Sequence, residues 1–400
     1  MSSEKAGGAL EGLRVLDLTR ILAGPFCTQM LGDMGADVIK VEPPGTGDDT
    51  RTWGPPFAGG ESAYFLGINR NKRSITLNLA VKPGQEVLAR LIGRCDVLVE
   101  NFKLGTLEKW GFGNDWLEQN APRVVRCSIT GYGSSGPNAS LPGYDFILQA
   151  ESGLMSICGE PDGRPTKYGV AIVDVVTGLY AGNVILAALA ARNRNGRGQH
   201  VEVSLYESGI AMLVNVASNC LVSGRDARRY GNGHPNIVPY TTYPAADGMI
   251  AVAVGNDAQF ARFAEATGYA EWSRDPRFAK NPDRVKNRVV LDETIAEVLR
   301  TRPVAVWIER LRAVGVPCGP INSVARSLDD PHAAAREMVR TVTHPTIGKL
   351  KMTGVPFRMG STPPTIRRAP PLLGEHTEAV LGELGLSAER IAQLRAEKVI

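Results

Sequence analysis

Short apolar runs and four-residue spacings organise the first third of the chain. LRVLDLT (13–19) is short and apolar, as a buried strand is, and behind it Phe26, Met30 and Met34 recur every four residues, the spacing of one helical face. Ala23, Gly24 and Pro25 turn the chain between them, and Pro25 suits the first helical position, where its missing N–H is not needed. Gly35 closes the helix and ADVIKVE (36–42) supplies the next strand. A strand–helix–strand unit with a parallel crossover predicts an α/β layer fold. SITLNLA (74–80), CDVLVENF (95–102) and RVVRCSITGYG (123–133) read as further strands with helical stretches between them.

Residues 175–191 form a run of seventeen without a charge, which imitates a membrane span. A span needs ~20 strongly apolar residues, and Thr177, Gly178, Gly182 and Asn183 interrupt this one, with Asp174 at its head. The pattern predicts a helix buried by protein. A glycine turn (195–199) leads into a strand, HVEVSLYES, and residues 218–248 are polar, glycine-rich and linker-like. Beyond them come a strand at 249–254 and helices at 259–267, 291–301 and 305–314. After Asp329 the pattern returns to strand and helix, ending in helices at 375–386 and 388–398. The expected organisation is a large domain over 1–217, a linker over 218–248, a smaller inserted α/β domain over 249–328, and a return into the large domain over 329–400.

Composition narrows the function classes. Four hundred residues suit more than one domain, and 43% apolar with 22% charged residues excludes wholesale disorder. A net charge of +4 does not point to nucleic acid. Cys27, Cys95, Cys127, Cys158, Cys220 and Cys318 are scattered without a CxxC pair, so reduced thiols in a cytoplasmic protein are expected. The start, MSSEKAGGALEG, lacks the apolar run of a secretory leader. No metal pattern such as HExxH and no GxSxG elbow occurs among the residues around the five histidines, of which His234 in GNGHPNIVPY stands out. Glu42 ends the second strand, yet the dinucleotide glycine fingerprint is missing, since Gly24 is followed by proline and Gly32 and Gly35 fall within or beyond the helix.

Three local features carry candidate chemistry. NRNKRS (69–74) packs three cations into four residues, either a solvated turn or an anion site. ITGYGSSGP (129–137) follows a strand and holds Gly131, Gly133 and Gly136, either a plain turn or a loop on which a ligand lies against bare backbone. Asp174, inside the apolar GVAIVDVVTG, is either a helix N-cap or a functional carboxylate. The first N–H groups of the following helix and its dipole would keep that carboxylate ionised, and such an anion is a nucleophile toward an activated acyl group without needing a general base.

These motifs, with LEGLRVLDLTRILAGPF, LGDMGADVIKVEPPGTGDDTR, DVLVENFKLG, NGRGQHVEVSL, GVPCGPIN and APPLLGEHT, resemble the class III coenzyme A transferases, the CaiB–BaiF or formyl-CoA transferase family, over nearly the whole chain. GDDTRTWGPPF (47–57) is similar to the branch acting on dicarboxylates, the succinyl-CoA:glutarate (hydroxymethylglutarate) transferases. The resemblance implies a large Rossmann-like domain built from both chain ends, a smaller domain between, and a homodimer of interlocked rings. It also implies transfer of coenzyme A from an acyl-CoA, such as succinyl-CoA, to a carboxylic acid through covalent intermediates on Asp174. No tightly bound cofactor, metal, nucleic acid or membrane is expected.

By the same resemblance, coenzyme A contacts fall on Leu22, Ala23, Leu77, Asn78, Asn101, Phe102, Lys103, Lys109, Thr130, Gly131, Tyr132 and Gly133, with the Gly131–Gly133 loop offering oxyanion donors. Pro43 and Ala80 replace an arginine and a lysine common in the family, and Arg73, Arg51, Arg70 or Lys72 are the proposed substitutes on the phosphates. Arg20, Arg51 and His234 are candidates for the distal carboxylate of a dicarboxylic acid. The alternatives are an α-methylacyl-CoA racemase, a non-catalytic CoA-binding protein and a nicotinamide oxidoreductase. The racemase pairs its aspartate with a histidine in GHD, where this chain has Gly143, Tyr144 and Asp145, and tyrosine is a poor acid–base partner at neutral pH.

Overall fold

Six parallel strands make the sheet that positions the site: β1 (Arg14–Asp17), β2 (Asp37–Glu42), β3 (Lys72–Thr76), β4 (Val97–Glu100), β5 (Val125–Thr130) and β6 (His200–Ser204), in the order β3-β2-β1-β4-β5-β6. The order reverses between β1 and β4, and open α/β sheets bind ligands in the crevice outside the carboxyl ends of the strands at such a point. The computed structural model describes residues 7–400, so the part of the leader reading that rests on residues 1–6 lies outside the described residues.

The helices relevant to the sheet are α1 (Ala23–Asp33), α2 (Ala63–Ile68), α3 (Lys82–Ile92), α4 (Asn114–Asn120), α5 (Asp145–Glu151) and α6 (Ile172–Asn195). β1 to β5 are buried along most of their length, so the sheet needs cover on both faces there. On one face Leu16, Ile39, Ile75 and Leu98 pack with Val87, Leu88 and Leu91 of α3 and with Leu381 and Leu394 near the C-terminus. On the other, α1 packs against α6 closely enough that a Cβ at Gly178 would lie 2.6 Å from the carbonyl oxygen of Ala23. α6 is the one helix, among the described residues, long and apolar enough to cross a membrane. Val173, Ala181, Ile185 and Ala188 on it are buried, as in a core helix.

The outer edge of β3 is covered by the end of the chain. Asn71 N donates to the carbonyl of Arg368 (3.1 Å), His376 N to that of Ser74 (2.9 Å), and Asn78 N to that of Val399 (2.7 Å), while Thr76 N donates to Thr377 Oγ1 (3.0 Å). Residues 368–399 therefore cap the edge of a sheet whose strands all lie between residues 14 and 204.

The chain divides into two units, one running to Ser152 with Gly169–Met212 and Pro331–Ile400, the other made of Gly153–Tyr168 and Leu213–Asp330. The second unit has an antiparallel sheet of β7 (Tyr240–Pro244), β8 (Met249–Ala253) and β9 (Cys318–Pro320), packed on Phe260, Phe263, Ile295 and Trp307. Two expectations shift. The segment 218–248 is not a plain linker, since it holds the end of a helix (Val214–Ser223) and β7. The strand expected over 200–208 stops at Ser204, whose Oγ accepts from Glu207 N (3.2 Å) while donating to the Glu207 carboxylate (2.6 Å), a reciprocal cap that starts a helix at Leu205.

Candidate active site

Asp174 is the third residue of α6 and faces a cleft of about 240 Å³ at the sheet's reversal point. The loop after β1 (Arg20, Ile21, Leu22) and α1's first residue, Ala23, line it, with Asn101, Phe102 and Lys103 after β4 and Thr130 and Gly131 at the end of β5. The opposite wall, Leu141 to Tyr144, lies against Gly131. A Cβ on Gly131 would sit 2.6 Å from the Gly143 Cα, so only glycine allows this approach.

Asp174 does not cap its own helix. Asp145, from α5, does so: its Oδ1 accepts from Val173 N (2.8 Å) and Asp174 N (3.2 Å), and its Oδ2 accepts from Gln149 Nε2 (2.7 Å). The Asp174 carboxylate has no hydrogen-bond partner among the described residues. Burial pushes its pKa up to about 7, with the negative charge of Asp145 adding to the rise. This corrects the expectation that helix N–H groups would hold Asp174 firmly ionised. Tyr64 of α2 senses the same charges, its hydroxyl pushed up to about 12 by burial and then by Asp174, Asp145 and Asp48.

Arg20, Phe102 and Lys103 also line a second, larger cavity of about 570 Å³ at the carboxyl ends of β1 and β2, together with Leu77 and Asn78 beyond β3. Pro43 and Ala80 stand on its wall and bring no charge to it. Lys40, also on that wall, is fully buried and engaged by Asp48 (2.8 Å). Lys103 is exposed and makes no ion pair among the described residues, and Arg20 meets Asp49 only at 3.7 Å across two exposed side chains.

The other cations proposed for the phosphates are committed elsewhere, which corrects those assignments. Arg73 is clamped by Asp37 (2.6 Å) and Glu383 (2.6 Å). Arg51 holds Glu42 (2.7 Å) and Glu61 (2.9 Å) and stacks 3.6 Å over the Phe65 ring. Arg70 binds Asp33 (2.7 Å), and Lys72, fully buried, binds Asp17 (3.0 Å). None of the four lines either cavity. Arg51, Arg70 and Lys72 are buried with Glu42, Asp33 and Asp17, and opening such a pair leaves an uncompensated charge, which typically costs about 3–5 kcal/mol, whereas the partners of Arg73 are partly exposed.

Three further residues of the expected set stand away from both linings. Lys109 is exposed, Tyr132 donates its hydroxyl to Glu151 (2.9 Å), and Gly133 N donates to Thr130 Oγ1 (2.9 Å), so the Gly133 amide is not a free oxyanion donor. His234 belongs to the second unit. Its Nδ1 accepts from Asn236 N (3.0 Å), and burial and then Arg288 lower its pKa, so at neutral pH it is not the cation expected for a carboxylate. Asp145, Asp48 and Tyr64 escaped the sequence reading. The one available signal is the acidic residue that ends Gly143-Tyr144-Asp145.

Residues 10–377 match the family described as CoA-transferase family III. The chain is 42% identical to a succinyl-CoA:glutarate CoA-transferase of Homo sapiens over 94% of its own length and 86% of that protein. It is 44% identical to a succinate–glutarate CoA-transferase of Agrobacterium fabrum, covering 94% and 95%. A crystal structure of a CaiB/BaiF family protein from Brucella suis superposes with a TM-score of 0.83 at 43% identity, covering 94% of this chain and all of that one.

Proposed function

The chain belongs to CoA-transferase family III and is an enzyme of that class, and from that premise we propose that it moves coenzyme A from succinyl-CoA to a dicarboxylic acid such as glutarate, with Asp174 as the covalent carrier. The observation that carries the reading is a carboxylate without a hydrogen-bond partner among the described residues, on a cleft at the sheet's reversal point. The larger adjoining cavity is the candidate seat of the nucleotide, with Lys103 and Arg20 as the accessible cations at the junction. The distant nucleotide supplies binding energy that positions the thioester.

The chemistry runs in four balanced steps. The Asp174 carboxylate attacks the donor thioester carbonyl, forming a mixed anhydride and releasing coenzyme A thiolate. The thiolate attacks the aspartyl carbonyl, giving an enzyme thioester and the free donor acid. The acceptor carboxylate attacks that thioester, forming a second anhydride and again releasing the thiolate, which then attacks the acceptor's acyl carbon and frees Asp174. One thioester replaces another, so no energy-rich cosubstrate is consumed. The first turn of α1 has no side-chain cap, and Leu22 and Ala23 lie on the cleft wall. Its N–H groups and positive helix end suit the oxyanion of each step.

A dicarboxylate has a second anion to satisfy, and of the two cleft-lining cations, Arg20 and Lys103, we assign this role to Arg20. Incubating the enzyme with succinyl-CoA and a panel of mono- and dicarboxylates, with the CoA products read by mass spectrometry, is expected to show glutarate-sized diacids as the better acceptors. Arg20→Ala should lower kcat/KM for diacids about tenfold more than for monoacids, the worth of one charge-assisted contact. Preference for monoacids in the parent enzyme, or equal losses on both classes in the variant, contradicts this acceptor assignment.

The assembly proposed is a homodimer. The first unit leaves Phe146 and Ile147 of α5 and Leu179 and Tyr180 of α6 exposed, apolar side chains suited to a second copy. Light scattering is expected to give twice the mass of one chain, and a monomer at micromolar concentration would refute the assembly.

A further inference from the structure

Ile21 is a β-branched residue held in the left-handed backbone region (φ 71°), where such a side chain is strained. It stands on the cleft wall beside Arg20 and Leu22. Strain of this kind persists only where the surroundings impose it, and here three side chains do so. Both oxygens of Asp48 accept the Ile21 N–H, at 3.3 Å each. Asn101, just past β4, grips Arg20 twice: its Oδ1 accepts from Arg20 N (3.0 Å) and its Nδ2 donates to Arg20 O (2.9 Å). Lys40 of β2 donates to the Thr19 carbonyl (2.8 Å) and to Asp48 (2.8 Å), tying the preceding peptide and the carboxylate together. Lys40 and Asp48 are buried and fix the arrangement from beneath, while the two Asn101–Arg20 bonds close it on the exposed side.

We propose that Asp48, seated by Lys40, and Asn101 are positioning residues that hold the Arg20–Ile21 turn in a strained conformation which the acyl-CoA cleft requires. The inference rests on the reading that this cleft takes an acyl-CoA. Asp48 acts through Ile21. Without its grip the isoleucine relaxes toward ordinary backbone, the fraction of molecules with a competent cleft falls, and the apparent affinity weakens by that fraction. Glycine has no comparable aversion to positive φ. Replacing Ile21 by glycine should therefore offset the loss of the grip, which a purely structural role for Asp48 would not allow.

The test uses four full-length proteins: the parent, Asp48→Asn, Ile21→Gly and the double variant. Asp48→Asn is expected to raise the KM for succinyl-CoA about tenfold, the worth of one strained residue, with a smaller effect on kcat. In that background Ile21→Gly should recover at least about threefold of the loss. An unchanged KM in Asp48→Asn, or the same factor for Ile21→Gly in both backgrounds, overturns the proposal. If Asp48→Asn does not fold, Asn101→Ala, which leaves the Lys40–Asp48 pair intact, takes its place under the same criteria. A parent enzyme that exchanges no coenzyme A would defeat the transferase reading instead, and calorimetric affinities for coenzyme A across the same four proteins would still decide the fate of the turn.

Discussion

Asp174→Asn is expected to lose transferase activity by at least about 10³-fold while gaining stability, a combination that separates a nucleophile from a structural carboxylate. The activity loss follows because a neutral amide of the same shape cannot form the anhydride. Intact mass after incubation with succinyl-CoA should show an adduct on the parent that hydroxylamine removes, and none on the variant. The stability gain follows from the site's electrostatics. The folded-state pKa of Asp174 is raised to about 7, above the usual carboxylate value near 4 in the unfolded chain. Folding thus favours the protonated form. The parent loses stability as pH rises through that window, and the loss is complete above the folded pKa. Asparagine carries no such penalty, so the variant's advantage should widen from pH 5 to pH 8 and reach on the order of 2 kcal/mol. Substantial activity in the variant, or a stability difference that shrinks as pH rises, rules out Asp174 as a strained, reactive carboxylate.

The pH–rate profile carries the second large effect. Only the ionised carboxylate attacks, so kcat/KM should rise about tenfold per pH unit below the Asp174 pKa and level off above it. Between pH 5 and pH 7 the change approaches about 50-fold. The titratable groups that interact with Asp174 are Asp145 from α5 and Tyr64 from α2, and Arg20 and Lys103 line the same cleft. Of these, Asp145 adds to the rise beyond burial itself. Asp145→Asn keeps an oxygen to cap α6 but removes the like charge, so the midpoint of the limb should move to lower pH by up to about one unit. The same variant weakens the cap, typically by about 1 kcal/mol. A profile flat from pH 5 to pH 8, or a midpoint unmoved in Asp145→Asn, contradicts the electrostatic origin of the shift.

The fold's central elements were legible because they are local. The apolar run before Thr19, the four-residue repeat of Phe26, Met30 and Met34, and the glycine at 35 each act within one turn or one strand, and β1, α1 and β2 lie there. The end of β6 was equally local: Ser204 and Glu207 form a capping pair, a signal present in the sequence but read through as strand. The fate of the cations was not local. Whether Arg70, Lys72 and Arg73 meet solvent, ligand or carboxylate depends on Asp33, Asp17, Asp37 and Glu383, which only the folded chain brings to them. For the same reason Asp174 looked self-capped: the carboxylate that caps its helix comes from another helix, and its charge reverses the expected effect on Asp174.

The way residues 368–399 cover the outer edge of β3 also has a bearing on how the protein is made. The ribosome delivers β3 and Asp174 well before the backbone that pairs with Asn71, Ser74 and Asn78. A nascent polypeptide therefore carries a bare, hydrogen-bond-hungry strand throughout the translation of everything in between, and a bare edge invites pairing with other chains. The sheet edge beneath the catalytic crevice is closed only after residues 368–399 have been made, so the crevice matures later than the segment that carries Asp174.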